Sequence, residues 1–143
     1  MAIKQLSVFV ENKAGKLLEL TDILAKNNID LRAMSVADTA DYGILRLILS
    51  NIDKAKRILE ENDNIVKVTD VVGIAVSDEP GSMSKVVSIL SKAGINIEYM
   101  YAFVTRSKNY AYVVVRVQDN EKAEQILTAN SIRLVSQEEI ENM

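Results

Sequence analysis

The chain alternates between two hydrophobic periods, and the alternation occurs twice. From Ile3 to Val10, Leu6, Val8 and Val10 alternate with Gln5 and Ser7, the two-residue period of a half-buried strand. From Lys16 to Asn27 the period lengthens. Leu17, Leu20, Ile23 and Leu24 fall at helical spacing, with Lys16, Glu19, Asp22 and Lys26 on the outer face. Asn27–Asn28 is a stop signal, as is Ala93–Gly94 further on. Ile29–Ala37 and Tyr42–Ser50 read as strands around a short turn containing Asp38–Asp41. Asp53–Glu61 reads as a helix burying Ala55, Ile58 and Leu59, and Ile65–Thr69 as a fourth strand.

The same order then returns. Strands are predicted near Val71–Ser77, Ile95–Val104, Tyr110–Val117 and Ile132–Val135, and helices near Ser82–Ala93 and Asn120–Ala129. A shift of 66 positions superposes Val10 on Val76, Gly15 on Gly81, Ile23 on Ile89, Leu24 on Leu90, Ile29 on Ile95 and Met34 on Met100. Beyond the hairpin a shift of 68 aligns Tyr42 with Tyr110, Ala55 with Ala123 and Leu59 with Leu127. So long a period describes a small domain written twice, not a solenoid.

The order strand–helix–strand–strand–helix–strand is the ferredoxin-like motif. The fold class expected is α+β: two βαββαβ units, residues 1–69 and 70–143, with antiparallel sheets covered by helices on one face. Val66–Val76 is nearly continuous strand sequence, with Gly73 its one glycine and no proline. The two units should therefore be tightly coupled, without a flexible tether. Ser136-x-x-Glu139 has the form of a capping box for a short last helix.

Composition narrows the function. The chain has 143 residues, 48% apolar and 26% charged, as folded globular proteins do. A net charge of −3 without any Lys/Arg run argues against nucleic acid as the partner. Cysteine and histidine are both absent, which removes disulfides, thiol chemistry, Ser-His triads and most zinc sites. Asp38/Asp41 and Glu138/Glu139/Glu141 read as solvated carboxylates rather than a metal site. No cofactor is expected. No apolar run is long enough to span a membrane, and the opening MAIKQLSVFVENK lacks a signal-peptide pattern, so a cytoplasmic location is the default.

The most informative spot is the first strand–helix turn of each copy, Glu11-Asn12-Lys13-Ala14-Gly15-Lys16-Leu17 and Ser77-Asp78-Glu79-Pro80-Gly81-Ser82-Met83. A helix N-terminus offers unpaired N–H groups and a positive dipole end, both suited to a carboxylate. Glycine lets a ligand approach the backbone. Asn12 and Asp78 carry oxygens able to cap the helix or to accept from an ammonium group. Together these meet the needs of an amino-acid zwitterion. Ordinary capping chemistry explains a single such turn equally well. Recurrence of the glycine in both copies weighs toward function.

The turn Asp78-Glu79-Pro80-Gly81-Ser82-Met83, its apolar helix, and Ala93-Gly94-Ile95-Asn96-Ile97 opening the next strand resemble an ACT domain. Asn12-Lys13-Ala14-Gly15-Lys16-Leu17 with Asn28-Ile29-Asp30-Leu31 resembles a degenerate copy, with Ala14 where the second has Pro80. The resemblance covers essentially the whole chain, as two tandem domains. It implies a small regulatory module holding a free amino acid at an interface between such domains, near Asn12, Ala14, Gly15, Leu17, Asp78, Pro80, Gly81, Ser82 and Met83. Both modules use the full sequence, so the expectation is a non-catalytic regulator acting on another protein, such as a regulated enzyme. An assembly module with a vestigial site, or a small ferredoxin-like enzyme, are the competing readings.

A second feature is aromatic. Five of the seven aromatic residues, Tyr99, Tyr101, Phe103, Tyr110 and Tyr112, fall in one predicted hairpin, where the first copy has Ala33, Ser35 and Ala37. Such a patch is expected to form a homodimer interface or to cover the first copy within the same chain, with Tyr101 as a pocket-lining candidate. Met34 and Met100, at equivalent positions, are expected to serve in packing.

Overall fold

A computed structural model describes residues 2–38, 41–105 and 109–143. Residues 1, 39–40 and 106–108 lie outside the described residues. The first unit runs β1 (Ile3–Glu11), α1 (Lys16–Lys26), β2 (Leu31–Asp38), β3 (Tyr42–Leu49) and α2 (Ile52–Glu61) into β4 (Val66–Ser77). The second runs from β4 through α3 (Ser82–Lys92), β5 (Tyr99–Ala102), β6 (Tyr110–Arg116) and α4 (Asn120–Ala129) to β7 (Arg133–Val135). The short α5 (Gln137–Glu141) follows and carries the expected Ser136/Glu139 capping box.

Each helix starts and stops where its sequence dictates. The Asn51 side chain accepts from the Lys54 N–H at the head of α2, and Asp119 from the Lys122 N–H at the head of α4, both at 3.1 Å. α1 stops at Asn28, whose φ of 56° lets the Ile29 N–H bond back to Leu24 C=O at 3.0 Å. Gly94, with φ 72°, does the same for α3 through Ile95 and Leu90 at 2.9 Å.

The expected fourth and fifth strands are one. Val66–Ser77 pairs with β1 over Val66–Val71, and with β6 and β7 beyond that. It closes the first sheet and opens the second, so the boundary expected between Thr69 and Asp70 falls inside it. The register has a further consequence. Lys4 pairs with Asp70, and these two residues are equivalent in the repeat. The two units are thus related by an approximate two-fold axis through that pair. The sheet order is β2-β3-β1-β4-β6-β5, with β7 on β4.

Three cores result. Leu6, Val8, Leu45, Leu47 and Leu49 pack beneath α1 and α2, and Val72, Ile74, Val76, Val113 and Val115 beneath α3 and α4. The third core lies on the opposite face, where Ile3, Ala33, Ile48, Val71, Ala75, Val114 and Val135 gather with Ile140 of the short α5. The sheet curls around it until β2 reaches β5 through an Ala33–Phe103 bridge and a 2.8 Å bond from Val104 N–H to Arg32 C=O.

This curl decides what the aromatic hairpin does. Tyr101, Phe103 and Tyr112 pack in the third core. The Tyr101 hydroxyl donates to Gln5 Oε1 at 2.6 Å, and Gln5 Nε2 donates to the Tyr99 hydroxyl at 2.8 Å. Gln5 is fully buried, and Arg46 lies over the Tyr99 ring at 3.9 Å. Tyr99, Tyr101, Phe103 and Tyr112 therefore cover Ala33 and Gln5 of the first unit within one chain, whereas Tyr110 and Ala37 stay exposed. The expected strand Ile95–Val104 is regular only over Tyr99–Ala102; at Phe103, whose N–H still donates to Tyr112 C=O at 2.9 Å, it also bridges Ala33 of β2. Among the described residues no helix is long and apolar enough to cross a membrane.

Candidate functional site

The two strand–helix turns share their backbone angles and their main turn bonds. Gly15 has φ 90° and ψ −18°, and Gly81 φ 88° and ψ −9°. Lys13 N–H bonds Glu11 C=O, and Glu79 N–H bonds Ser77 C=O, both at 2.9 Å. The first helical bonds, Glu19 N–H to Gly15 C=O and Lys85 N–H to Gly81 C=O, are both 3.0 Å. A methyl group added at either glycine would meet nothing within 4 Å. The backbone angle, not crowding, is what requires glycine, and the space above each turn is open.

Both glycines are themselves the N-cap residues and make no side-chain cap bond. The N–H groups of Leu17 and Leu18, and of Met83 and Ser84, precede the first helical bonds and lie at the positive end of each helix. Asn12, Ala14, Gly15 and Leu17 are exposed around the first turn, as are Asp78, Pro80 and Gly81 around the second. Ser82 and Met83 are half-buried. Ser77 and Ser82 hydroxyls lie 2.9 Å apart across the second turn. Tyr101 stands away from both turns, in the third core, where burial pushes its hydroxyl well above the ordinary tyrosine range.

Two features were not legible as site residues. Met34 and Met100, expected in packing, sit on the helix-covered face of the outer strands and are 36% and 39% exposed. Leu17, Leu18 and Val36 are exposed in the first unit, and Val87 in the second, so each glycine turn belongs to a unit with an open apolar shelf. The second feature is a groove of about 830 Å³ in the first unit, between α1 and the loop from α2 to β4. Leu20 and Ile23 line it on the helix-covered side of β1, and Phe9 and Tyr42, their rings 6.4 Å apart, lie on the other face of the sheet, so the groove wraps the open edge of β1. Glu11 and Lys16 connect it to the Gly15 turn. Because β4 begins only at Val66, the edge of β1 past Phe9 is open there. Phe9 N–H donates to Ile65 C=O at 3.1 Å, and by strand alternation the Glu11 N–H points the same way.

A family model described as "ACT domain pair" matches residues 1–143. The chain belongs to that family. Protein BT0572 from Bacteroides thetaiotaomicron is 43% identical, with 100% of this chain and 98% of that one aligned and a TM-score of 0.92. The regulatory subunit of aspartate kinase from Thermus thermophilus, in its ligand-free form, has the same fold at 14% identity. Its TM-score is 0.64, over 88% of this chain and 91% of that one. Aspartokinase alpha and beta subunits align at 18% identity over 88% and 90%, with a TM-score of 0.59. No curated protein matches by sequence. The ACT domain pair thus accounts for both βαββαβ units.

Proposed function

We propose that this ACT domain pair is a non-catalytic sensor of a free amino acid, with units 1–69 and 70–143 each presenting one glycine turn. The observation that carries the reading is the duplication of the same strand–glycine–helix geometry, with φ 90° and 88°, beside an exposed apolar shelf. The ligand's carboxylate takes the free N–H groups at the head of α1 or α3, and Asn12 or Asp78 receives its ammonium group. The shelf of Leu17, Leu18, Met34 and Val36, with Met83, Val87 and Met100 in the second unit, is closed by a second copy, so that the ligand lies at a homodimer interface. The protein works in the cytoplasm, and its output is a change in a partner protein. The fold it shares with a kinase regulatory subunit makes an enzyme the reasonable partner.

A chain without histidine or cysteine favours this reading over an enzyme. A thermal-shift screen against the twenty amino acids separates it from a pure assembly module. At least one amino acid is expected to raise Tm, and Asp78→Ala to weaken that ligand by about 1.5–3 kcal/mol. A screen in which no amino acid moves Tm leaves only the assembly role.

A further inference from the structure

One cross-strand row of the first unit is polar where its counterpart is apolar. Ser35 pairs with Arg46, Arg46 with Ser7, and Ser7 with Lys67, so the four side chains stand side by side on the face opposite α1 and α2. The repeat puts Tyr101, Val114, Gly73 and Val135 at the same four positions, and they pair in the same order. In the second unit this row is closed. Tyr101, Val114 and Val135 pack in the third core, and a Cβ at Gly73 would meet Ile3 Cδ1 at 3.0 Å. In the first unit Ser7, Ser35 and Arg46 are only half-buried, and Lys67 is exposed.

The open row is rich in donors and has no acceptor to match them. Gln5 is fully buried, so both hydrogens of its amide need acceptors. They find the Tyr99 hydroxyl oxygen at 2.8 Å and Ser7 Oγ at 3.2 Å. The Tyr99 and Ser7 hydroxyls accept there and must turn their own hydrogens elsewhere. Among the described residues neither has a group to receive its hydrogen. The Arg46 guanidinium lies over the Tyr99 ring at 3.9 Å, and among the described residues neither it nor Lys67 has an ion pair. The flanking rows, Ala37–Ile44–Phe9 on one side and Ala33–Ile48 with Gln5–Thr69 on the other, hold no carboxylate. Two positive charges and three hydroxyl groups thus share one stretch of sheet with nothing negative beside them.

We propose that the row Ser35–Arg46–Ser7–Lys67, with the Tyr99 hydroxyl, binds a phosphate group, carried by a small phosphate ester or present as the free ion. A carboxylate has two oxygens and one charge. A phosphate has three or four oxygens and nearly two charges, which suits two cations and three hydroxyls better. The Tyr99 ring already holds the guanidinium, and Gln5 already aims two of the hydroxyls, so binding has little besides Lys67 to order. The site does not depend on the amino-acid reading of the glycine turns, because it uses no helix N-terminus.

Inorganic phosphate and phenyl phosphate are the probes, each titrated into the isotope-labelled full chain and followed by amide chemical shifts. Saturable shifts with a Kd of about 1 mM or tighter are expected, centred on Ser7, Arg46 and Lys67. Tighter binding of phenyl phosphate identifies an ester as the ligand, and tighter binding of inorganic phosphate the free ion. Arg46→Met, which keeps an unbranched stem against Tyr99, combined with Lys67→Met should weaken binding about tenfold or more. Lys67→Met alone, at an exposed position where folding is not at stake, should weaken it about threefold. The proposal is overturned if neither probe gives saturable shifts at about 10 mM, or if the double variant binds as the parent does. Shifts centred instead on Leu17 and Leu18, or on Met83 and Ser84, also overturn it and place the anion at the helix heads. Acetate binding as tightly as phosphate overturns it as well, since the row would then be a carboxylate site.

Discussion

The two units have one backbone and two different inner faces. At the glycine turns they match to within 2° in φ, and their caps, stops and first helical bonds correspond. On the faces they turn toward each other they are opposites: Ala33, Ser35 and Ala37 in the first unit, Tyr99, Tyr101 and Phe103 in the second. A repeat that folds back on itself across a local two-fold axis cannot keep both faces large. The interior is close-packed, so the summed volume is what folding conserves. Divergence at these positions is therefore a condition of pairing. It says nothing by itself about a ligand.

The sharpest way to break the comparison is at one such pair. Tyr101→Ala removes a packed ring and leaves Oε1 of the fully buried Gln5 without its donor. It should destabilise the protein by about 3 kcal/mol or more in urea unfolding. Ser35→Ala, at the equivalent position, should stay within about 0.5 kcal/mol. If Tyr101→Ala instead changed the sedimentation coefficient with stability intact, the ring would face a partner and the intrachain account would fail.

Why the aromatic hairpin was ambiguous in the sequence follows from this. Alternation at Tyr99, Tyr101 and Phe103 assigns a face, and the repeat assigns small residues opposite. Neither shows that the sheet curls until β2 meets β5, because a contact between Ala33 and Phe103 leaves no periodic trace. The elements themselves were legible. Capping residues, glycine and asparagine stops, and two- versus 3.6-residue periods place every helix within a residue or two. Fusion of two expected strands into β4 was visible as an unbroken run with Gly73 alone in it. The turns at Gly15 and Gly81 were legible because a positive φ selects glycine directly. The groove was not. Its walls, Phe9, Asp22, Tyr42 and Asp63, come from four elements, and its opening depends on β4 starting at Val66 rather than two residues earlier.

The glycines offer a finer test of the same comparison. With φ near +90° and nothing within 4 Å of an added methyl group, Gly15→Ala and Gly81→Ala both incur backbone strain without a clash. Each should cost about 1–2 kcal/mol, and the two costs should agree. Any difference between them in amino-acid affinity, measured on folded protein, would then identify which turn binds, free of a stability difference. Unequal stability costs would mean that the turns are not the equivalent structures their angles describe.

The smallest expected effect tests the two-fold axis itself. Lys4 and Asp70 are equivalent residues that pair with each other, the Lys4 Nζ 3.1 Å from Asp70 Oδ1, with side chains 51% and 55% exposed. An ion pair this open contributes little. Lys4→Asp should therefore cost less than about 1 kcal/mol, chiefly through a new like-charge contact with Asp70 across the strands. The informative variant is the exchange, Lys4→Asp with Asp70→Lys. Under an exact two-fold axis each side chain would move into the environment of the other, and stability would be unchanged. The surroundings differ in the side chains that bond the two backbones. Lys4 N–H donates to Gln137 Oε1 at 2.9 Å, and Asp70 C=O accepts from Arg116 and Asn120 at 3.0 Å. None of these bonds uses the exchanged side chains, so the exchange should restore stability to within about 0.5 kcal/mol of the parent. A double variant no better than Lys4→Asp alone would show that the side-chain environments on the two sides of the axis differ, even though the paired backbones match.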